Sequence, residues 1–253
     1  MIDPTDAAPL NAELDRWEEG GLTLPLWWRD DDAADDTPAL RRLMALADRH
    51  RAVPALAVIP EPATPALAAV LSGGDAHVLQ HGWRHRNHAA PGGRAVECGG
   101  DRDLQPILDE FAGGRERLAA LFGDRFLPVM VPPWNRIEPR VSQALPAAGY
   151  IGLSTFGPPE AAPPGLRAIN GDLDVVRWKG GARFAGATKL CRSMVEDLAL
   201  RRAAGDGRPF ALLTHHLAHD EATWDFLAAL LPMLSRHPAV RWRDAATLFA
   251  PLA

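Results

Sequence analysis

Short apolar runs alternate along the chain with longer stretches in which apolar residues recur at helical spacing, and that alternation predicts the elements. Leu24 to Trp28 reads as a strand. Thr37-Pro38 then opens a helix through about His50, with proline at the first helical position and Asp36 or Thr37 as the cap. An apolar run from Val53 to Ile59, a helix near Pro65 to Leu71 and a strand from His77 to Gln80 follow. Pro91, Gly92, Gly93, Gly99 and Gly100 mark a loop between about Asn87 and Asp101. Beyond it come a helix to about Phe122, a strand Phe126 to Val131 and a helix from Glu138 to about Ala148. Tyr150 to Leu153 is a short strand, Pro158-Pro159 and Pro163-Pro164 mark a loop, and Leu173 to Trp178 is extended. A helix from about Thr188 to Ala204, a strand Phe210 to Leu213, a helix Glu221 to about Ser235, a strand Val240 to Trp242 and a last helix to Leu252 complete the pattern.

Strands separated by helices argue for βα units and a mostly parallel sheet. About seven such units without an obvious linker predict an α/β fold, a single closed or nearly closed (β/α) barrel rather than two domains. The expected domain spans 1–253, with a core over about 22–252 and an N-terminal extension over 1–20. Composition changes this picture only by exclusion. Lys+Arg 27 against Asp+Glu 32 gives a net charge of −5, which offers no footprint for nucleic acid. Cys98 and Cys191 are too few for a disulfide framework. The first residues lack the basic start and apolar core of a secretory signal, and no apolar run approaches the ~20 residues that span a bilayer. A cytoplasmic protein without a membrane partner is the expectation. The glycine signatures of dinucleotide and P-loop sites and the G-x-S-x-G of serine hydrolases are absent.

In parallel α/β folds chemistry gathers where strands end. The first strand runs into Asp30-Asp31-Asp32, the third into His81-Gly82-Trp83-Arg84-His85, and a late one into Thr214-His215-His216. Six of the nine histidines lie in or just beyond the last two of these segments, a concentration that points to a site. Three successive carboxylates repel one another unless a cation or proton compensates. His81 and His85 stand at i, i+4, the spacing at which two imidazoles share one cation. A carboxylate and two imidazoles leave positions open for water and substrate. A histidine near its ordinary pKa of ~6.5 suits proton donation to a leaving group, and Thr214-His215-His216 supplies one.

These pieces, in this order, resemble the polysaccharide deacetylases, the NodB-homology carbohydrate esterases, over about Leu24 to His216 and into the closing units. The resemblance implies a distorted (β/α) barrel. Asp31-Asp32-Ala33 is similar to the family's first motif, Asp-Asp-Gly, which implies Asp31 as catalytic base and Asp32 as metal ligand, with Asp30-Asp31 as the alternative register. His81 and His85 match the paired histidine ligands, with Gly82 where serine or threonine is usual. Val131-Pro132-Pro133-Trp134-Asn135 looks like the third motif without its arginine. Asp174-Val175-Val176-Arg177-Trp178 is similar to the fourth with arginine at the second acid. Arg177 or Arg136 is the candidate replacement guanidinium. Leu212-Leu213-Thr214-His215 matches the strand that ends in the general acid, with His216 as the alternative.

The reading is therefore a metal-dependent N-deacetylase. A divalent ion, zinc or else cobalt, nickel or manganese, is held by Asp32, His81 and His85. Asp31 is the base, His215 the acid, Trp134 the donor of an oxyanion-binding backbone N–H, and Arg177 an orienting guanidinium. Trp83, Trp134 and Trp178 are candidate walls for a small-molecule or oligosaccharide substrate. Two alternatives stand beside it: a hydrolase of a small non-carbohydrate amide, and an inactive metal- or glycan-binding relative.

Overall fold

The computed structural model describes residues 2–158 and 162–250. Among these, the strands in chain order are β1 (Leu24–Ala33), β2 (Pro54–Val58), β3 (His77–His81), β4 (Phe126–Val131), β5 (Gly152–Leu153), β6 (Arg167–Ala168), β7 (Leu173–Asp174), β8 (Val176–Arg177), β9 (Arg183–Phe184), β10 (Phe210–Thr214) and β11 (Val240–Trp242). The helices are α1 (Pro4–Glu19), α2 (Pro38–His50), α3 (Pro65–Leu71), α4 (Leu104–Phe122), α5 (Pro139–Ala144), α6 (Ala187–Ala204), α7 (Glu221–Arg236) and α8 (Ala245–Phe249). The main sheet has the strand order β6-β5-β4-β3-β2-β1-β10-β7, with β11 also paired to β1. Its pairings β2–β3, β3–β4, β4–β5, β5–β6, β10–β7 and β11–β1 are parallel. The small β8–β9 hairpin is antiparallel. The architecture is therefore the mostly parallel α/β fold that the strand–helix alternation predicts.

Contacts group the chain into two compact units whose segments interleave in sequence. One gathers Met1–Arg29, Ala39–Pro54 and Asp172–Arg243. In it α1 packs along α6, burying Leu10, Leu14 and Trp17. The hydrophobic pattern assigned no helix to residues 4–19, because Pro9 and the acidic residues interrupt the stripe. The start signal is nevertheless present: Asp3 caps the helix by accepting from the Thr5 N–H at 2.8 Å, and Pro4 stands at its first position. Trp27, Leu212, Leu230 and Leu234 lie in the same unit's core.

The other unit gathers Asp30–Pro38, Ala55–Gly171 and Asp244–Ala253. Its strand β2 is wholly buried, which explains its continuous apolar run in place of an alternation, and β3 is buried over residues 78–81. Cys98, Ile107, Phe111, Met130, Val141, Leu145 and Tyr150 form its core. The register pairs Val58 with Gln80 and His81 with Val131. That register sets the ends of β3 and β4 side by side.

Most predicted boundaries differ by only a few residues. The largest difference is β1, which runs on through the three aspartates to Ala33 rather than ending at Trp28. The helix expected to Ala148 ends at Ala144, and the one expected to Leu252 is seen over Ala245–Phe249. Leu252 and Pro159 lie outside the described residues. No helix among the described residues is long and apolar enough to cross a membrane.

Candidate functional site

Within the second unit, the ends of β1 and β3 bring Asp32, His81 and His85 together. One donor atom from each lies within 4.8 Å of the others. The His81 ring is buried, and its Nδ1–H donates to the Val131 carbonyl at 2.9 Å. That bond fixes the tautomer and leaves the Nε2 lone pair facing Asp32 Oδ1 at 3.1 Å. His85 Nε2 stands 3.4 Å from the same oxygen. Burial, and then the neighbouring His81, hold the His85 imidazole below its ordinary value, although Asp32 and Glu97 pull it upward. A neutral imidazole has a ring-nitrogen lone pair to give.

A carboxylate oxygen facing imidazole lone pairs is repulsive unless a cation or proton lies between them. The donor set of two nitrogens and one oxygen fits a divalent first-row metal that keeps positions open. These residues therefore fit the ion that the motif resemblance implies. The set is held by backbone conformations that side chains rarely adopt. Asp32 (φ 72), His85 (φ 56), Trp134 (φ 55) and Asn135 (φ 55) all have left-handed backbones, and Arg51 is the only other described non-glycine residue that does. Such strain persists only where the surroundings enforce it, and it concentrates at sites. The Trp134 ring packs against His85 with centroids 4.3 Å apart.

In the first unit, β10 ends at Thr214, whose hydroxyl accepts from the buried Trp28 Nε1–H at 2.8 Å. His215 follows, 6% exposed, with its Nδ1 facing Asp174 Oδ1 at 3.7 Å. The exposed Trp178 ring meets His215 edge-on, with centroids 4.7 Å apart. Asp174 orders this corner by accepting from the Val176 N–H at 2.8 Å and from Trp178 Nε1–H at 2.9 Å. The fourth-motif acid and tryptophan thus meet through a hydrogen bond that their i, i+4 spacing foreshadows.

The structure also sorts the remaining candidates. Of the three acids, Asp32 lies with the histidines, whereas Asp30 and Asp31 are buried on β1. His216 is buried and opens a single helical turn. Trp83 is half-buried in the turn between His81 and His85. Arg177 is exposed on β8. Arg136 donates to the Ala95 carbonyl at 2.8 Å and braces the loop before Cys98. Sequence reasoning passed over Arg29, which is fully buried immediately before the acids. A buried guanidinium requires compensation, so its place beside three acids was the available signal. A second group, Asp15, Glu18 and His237, is also close enough to hold an ion. His237 Nδ1 accepts there from the Ala239 N–H at 3.2 Å, so Nε2 carries the proton and faces Asp15 as a donor.

No protein-family model and no curated protein matches the sequence. Solved structures do match. The chain is similar to a protein from Mycobacterium smegmatis assigned as a polysaccharide deacetylase, with a TM-score of 0.67, 15% identity and 90% of each chain covered. It is similar to a peptidoglycan N-acetylglucosamine deacetylase solved with a naphthyl N-hydroxybenzamide, with a TM-score of 0.57, 15% identity, and 94% and 97% of the two chains covered. A family 4 acetyl xylan esterase from Clostridium thermocellum, solved with a cobalt ion, matches with a TM-score of 0.58, 13% identity, and 89% and 90% covered.

Proposed function

We propose, from the premise that this chain has the fold of the polysaccharide deacetylases, that it is a metal-dependent hydrolase removing an N-acyl group, acetyl in the first instance, from a carbohydrate. The observation that carries the reading is the convergence of Asp32, His81 and His85, with the His81 tautomer set by the Val131 carbonyl. Asp32, His81 and His85 would hold a divalent cation, zinc by preference, which when bound would supply Lewis-acid polarisation of the acyl oxygen and a lowered pKa for water.

The chain's own residues do the rest. Asp31 takes the proton from the attacking water. His215 donates a proton to the departing amine, and Asp174 keeps the His215 ring oriented. The Trp134 backbone N–H is the donor for the developing oxyanion. Arg177 is the orienting guanidinium in place of the third-motif arginine, since Arg136 is committed to Ala95. Unchanged turnover in Arg177→Ala would remove that role. Trp134 and Trp178 offer apolar faces suited to a sugar ring.

Valine at 131, where the resemblance calls for arginine, favours a second reading: a relative that binds metal or glycan without turnover. Metal content separates these readings from a site without function. Elemental analysis of tag-free protein is expected to give about one divalent ion per chain, lost in His81→Ala and Asp32→Ala. No metal after reconstitution with zinc, cobalt or nickel would rule out the mechanism. Acetate release from N-acetylated oligosaccharides, acetyl xylan and simple amides then identifies the acyl carrier. Saturable glycan binding without product in metal-loaded protein would select the second reading.

A further inference from the structure

The turn that carries His85 is built around a carboxylate that belongs to none of the recognised motifs. Glu97 is 1% exposed. Its Oε1 accepts from the backbone N–H groups of Arg84 at 2.9 Å and Arg86 at 3.1 Å. Its Oε2 accepts from the Trp83 N–H at 3.1 Å. Three amides of one five-residue turn therefore converge on one buried carboxylate. The two amides bonded to Oε1 directly flank His85.

The rest of the turn is held as firmly. The buried Gln80 side chain donates from Nε2 to the Gly82 carbonyl at 3.0 Å. Gln80 in turn accepts from the Tyr150 hydroxyl at 2.8 Å. Gly82 itself has φ 57, and a Cβ built there would run into Glu97 Oε2 and Pro133 Cδ. A serine or threonine at 82, the residue usual in the resembled motif, has no room while Glu97 is present. The carboxylate fills the space that a side chain at 82 would need.

Glu97 is in turn anchored to the segment after β4. Arg136 donates to the Ala95 carbonyl at 2.8 Å, and the Glu138 N–H to the Cys98 carbonyl at 3.0 Å. The Gly100 N–H returns to Glu138 Oε1 at 2.8 Å. The segment around Glu97 is thus pinned on either side to the stretch that follows Trp134.

We infer that Glu97 is the positioning residue for His85: it imposes the left-handed backbone at 85 (φ 56) that aims the imidazole at Asp32. The inference rests on the metal-site reading above. A residue behind a ligand typically costs about 10–100-fold in metal affinity when removed.

The test uses metal-free protein and cobalt(II). In the metal-free state, hydrogen–deuterium exchange over residues 82–88 is expected to be faster in Glu97→Ala than in wild type, with the rest of the chain unchanged. Cobalt affinity should fall about 10–100-fold, and the visible cobalt spectrum should approach that of His85→Ala. In a double-mutant cycle, Glu97→Ala added to His85→Ala should cost no further affinity, because Glu97 acts through His85. If Glu97→Ala fails to fold, Glu97→Gln carries the same comparison, since it loses the charge and one acceptor oxygen and keeps the volume. Wild-type cobalt affinity and spectrum in the folded variant would overturn this inference alone, as would a full additive loss in the cycle. No cobalt binding by the wild type would overturn the metal reading, and this inference with it.

Discussion

An imidazole whose Nδ1–H is committed to a backbone carbonyl can present only Nε2, and His81 does so toward Asp32. The residue pattern alone supplied the candidate ligand types and the i, i+4 spacing of the histidines. It supplied neither the tautomer nor the choice among Asp30, Asp31 and Asp32, because both depend on β4 lying beside β3 and on the backbone turning at Asp32. His215 is the test of acid catalysis at this scale. On a substrate with a poor leaving amine, His215→Ala should lower kcat about 10²–10⁴-fold while leaving metal content at the wild-type level. Loss of metal together with activity would move His215 from proton donor to structural support.

Among the elements, β1 and α1 are most informative. Strand β1 carries apolar residues and then charged ones without changing secondary structure, and a reading based on hydrophobicity stops where the charge begins. Helix α1 is an amphipathic element that the stripe did not reveal, and its polar anchor is buried. Glu13 is 1% exposed, and it accepts from Arg202 at 2.7 and 3.2 Å and from Arg16 at 3.0 Å. Burial alone would raise its pKa. The hydrogen bonds and charges of Arg202 and Arg16 outweigh burial and hold it below the ordinary 4.5. A carboxyl lowered on folding stabilises the fold above its unfolded pKa, and that stability is lost as pH falls through the folded value. Glu13→Gln should therefore destabilise the protein by about 1–3 kcal/mol at pH 7. The gap from wild type should narrow progressively as denaturant melts are repeated at pH values falling below 4.5. A gap that stays constant across that range would show that the carboxylate charge contributes nothing.

For the whole molecule, a ligand that binds only the folded chain adds stability by mass action. At a hundredfold excess over Kd this is about 2.7 kcal/mol, several degrees in melting temperature for a chain of this size. Zinc or cobalt should raise the wild-type melting temperature by that amount, and the rise should vanish in His81→Ala. An equal rise in His81→Ala would place the binding elsewhere, with Asp15, Glu18 and His237 as the first place to look.

The fold class, the order of most strands and helices and the pairing of His81 with His85 as candidate ligands were determined by the sequence itself, because apolar periodicity, proline and capping residues act over a few positions. Helix α3, capped by Thr64 and opened by Pro65, is one element read correctly to both ends. Two features were decided only by the tertiary structure, which also brings Asp32, the acid the motif resemblance implied, beside His81 and His85: Asp174 as the partner of His215 and Trp178, and Glu97 as the acceptor of the three amides of the His85 turn. Each depends on groups that approach through strand register, loop packing or a left-handed backbone. Glu97 lies 12 residues beyond His85 in a glycine-rich loop, where no periodicity marks it. Its three amide partners become its partners only once the chain has folded back upon them.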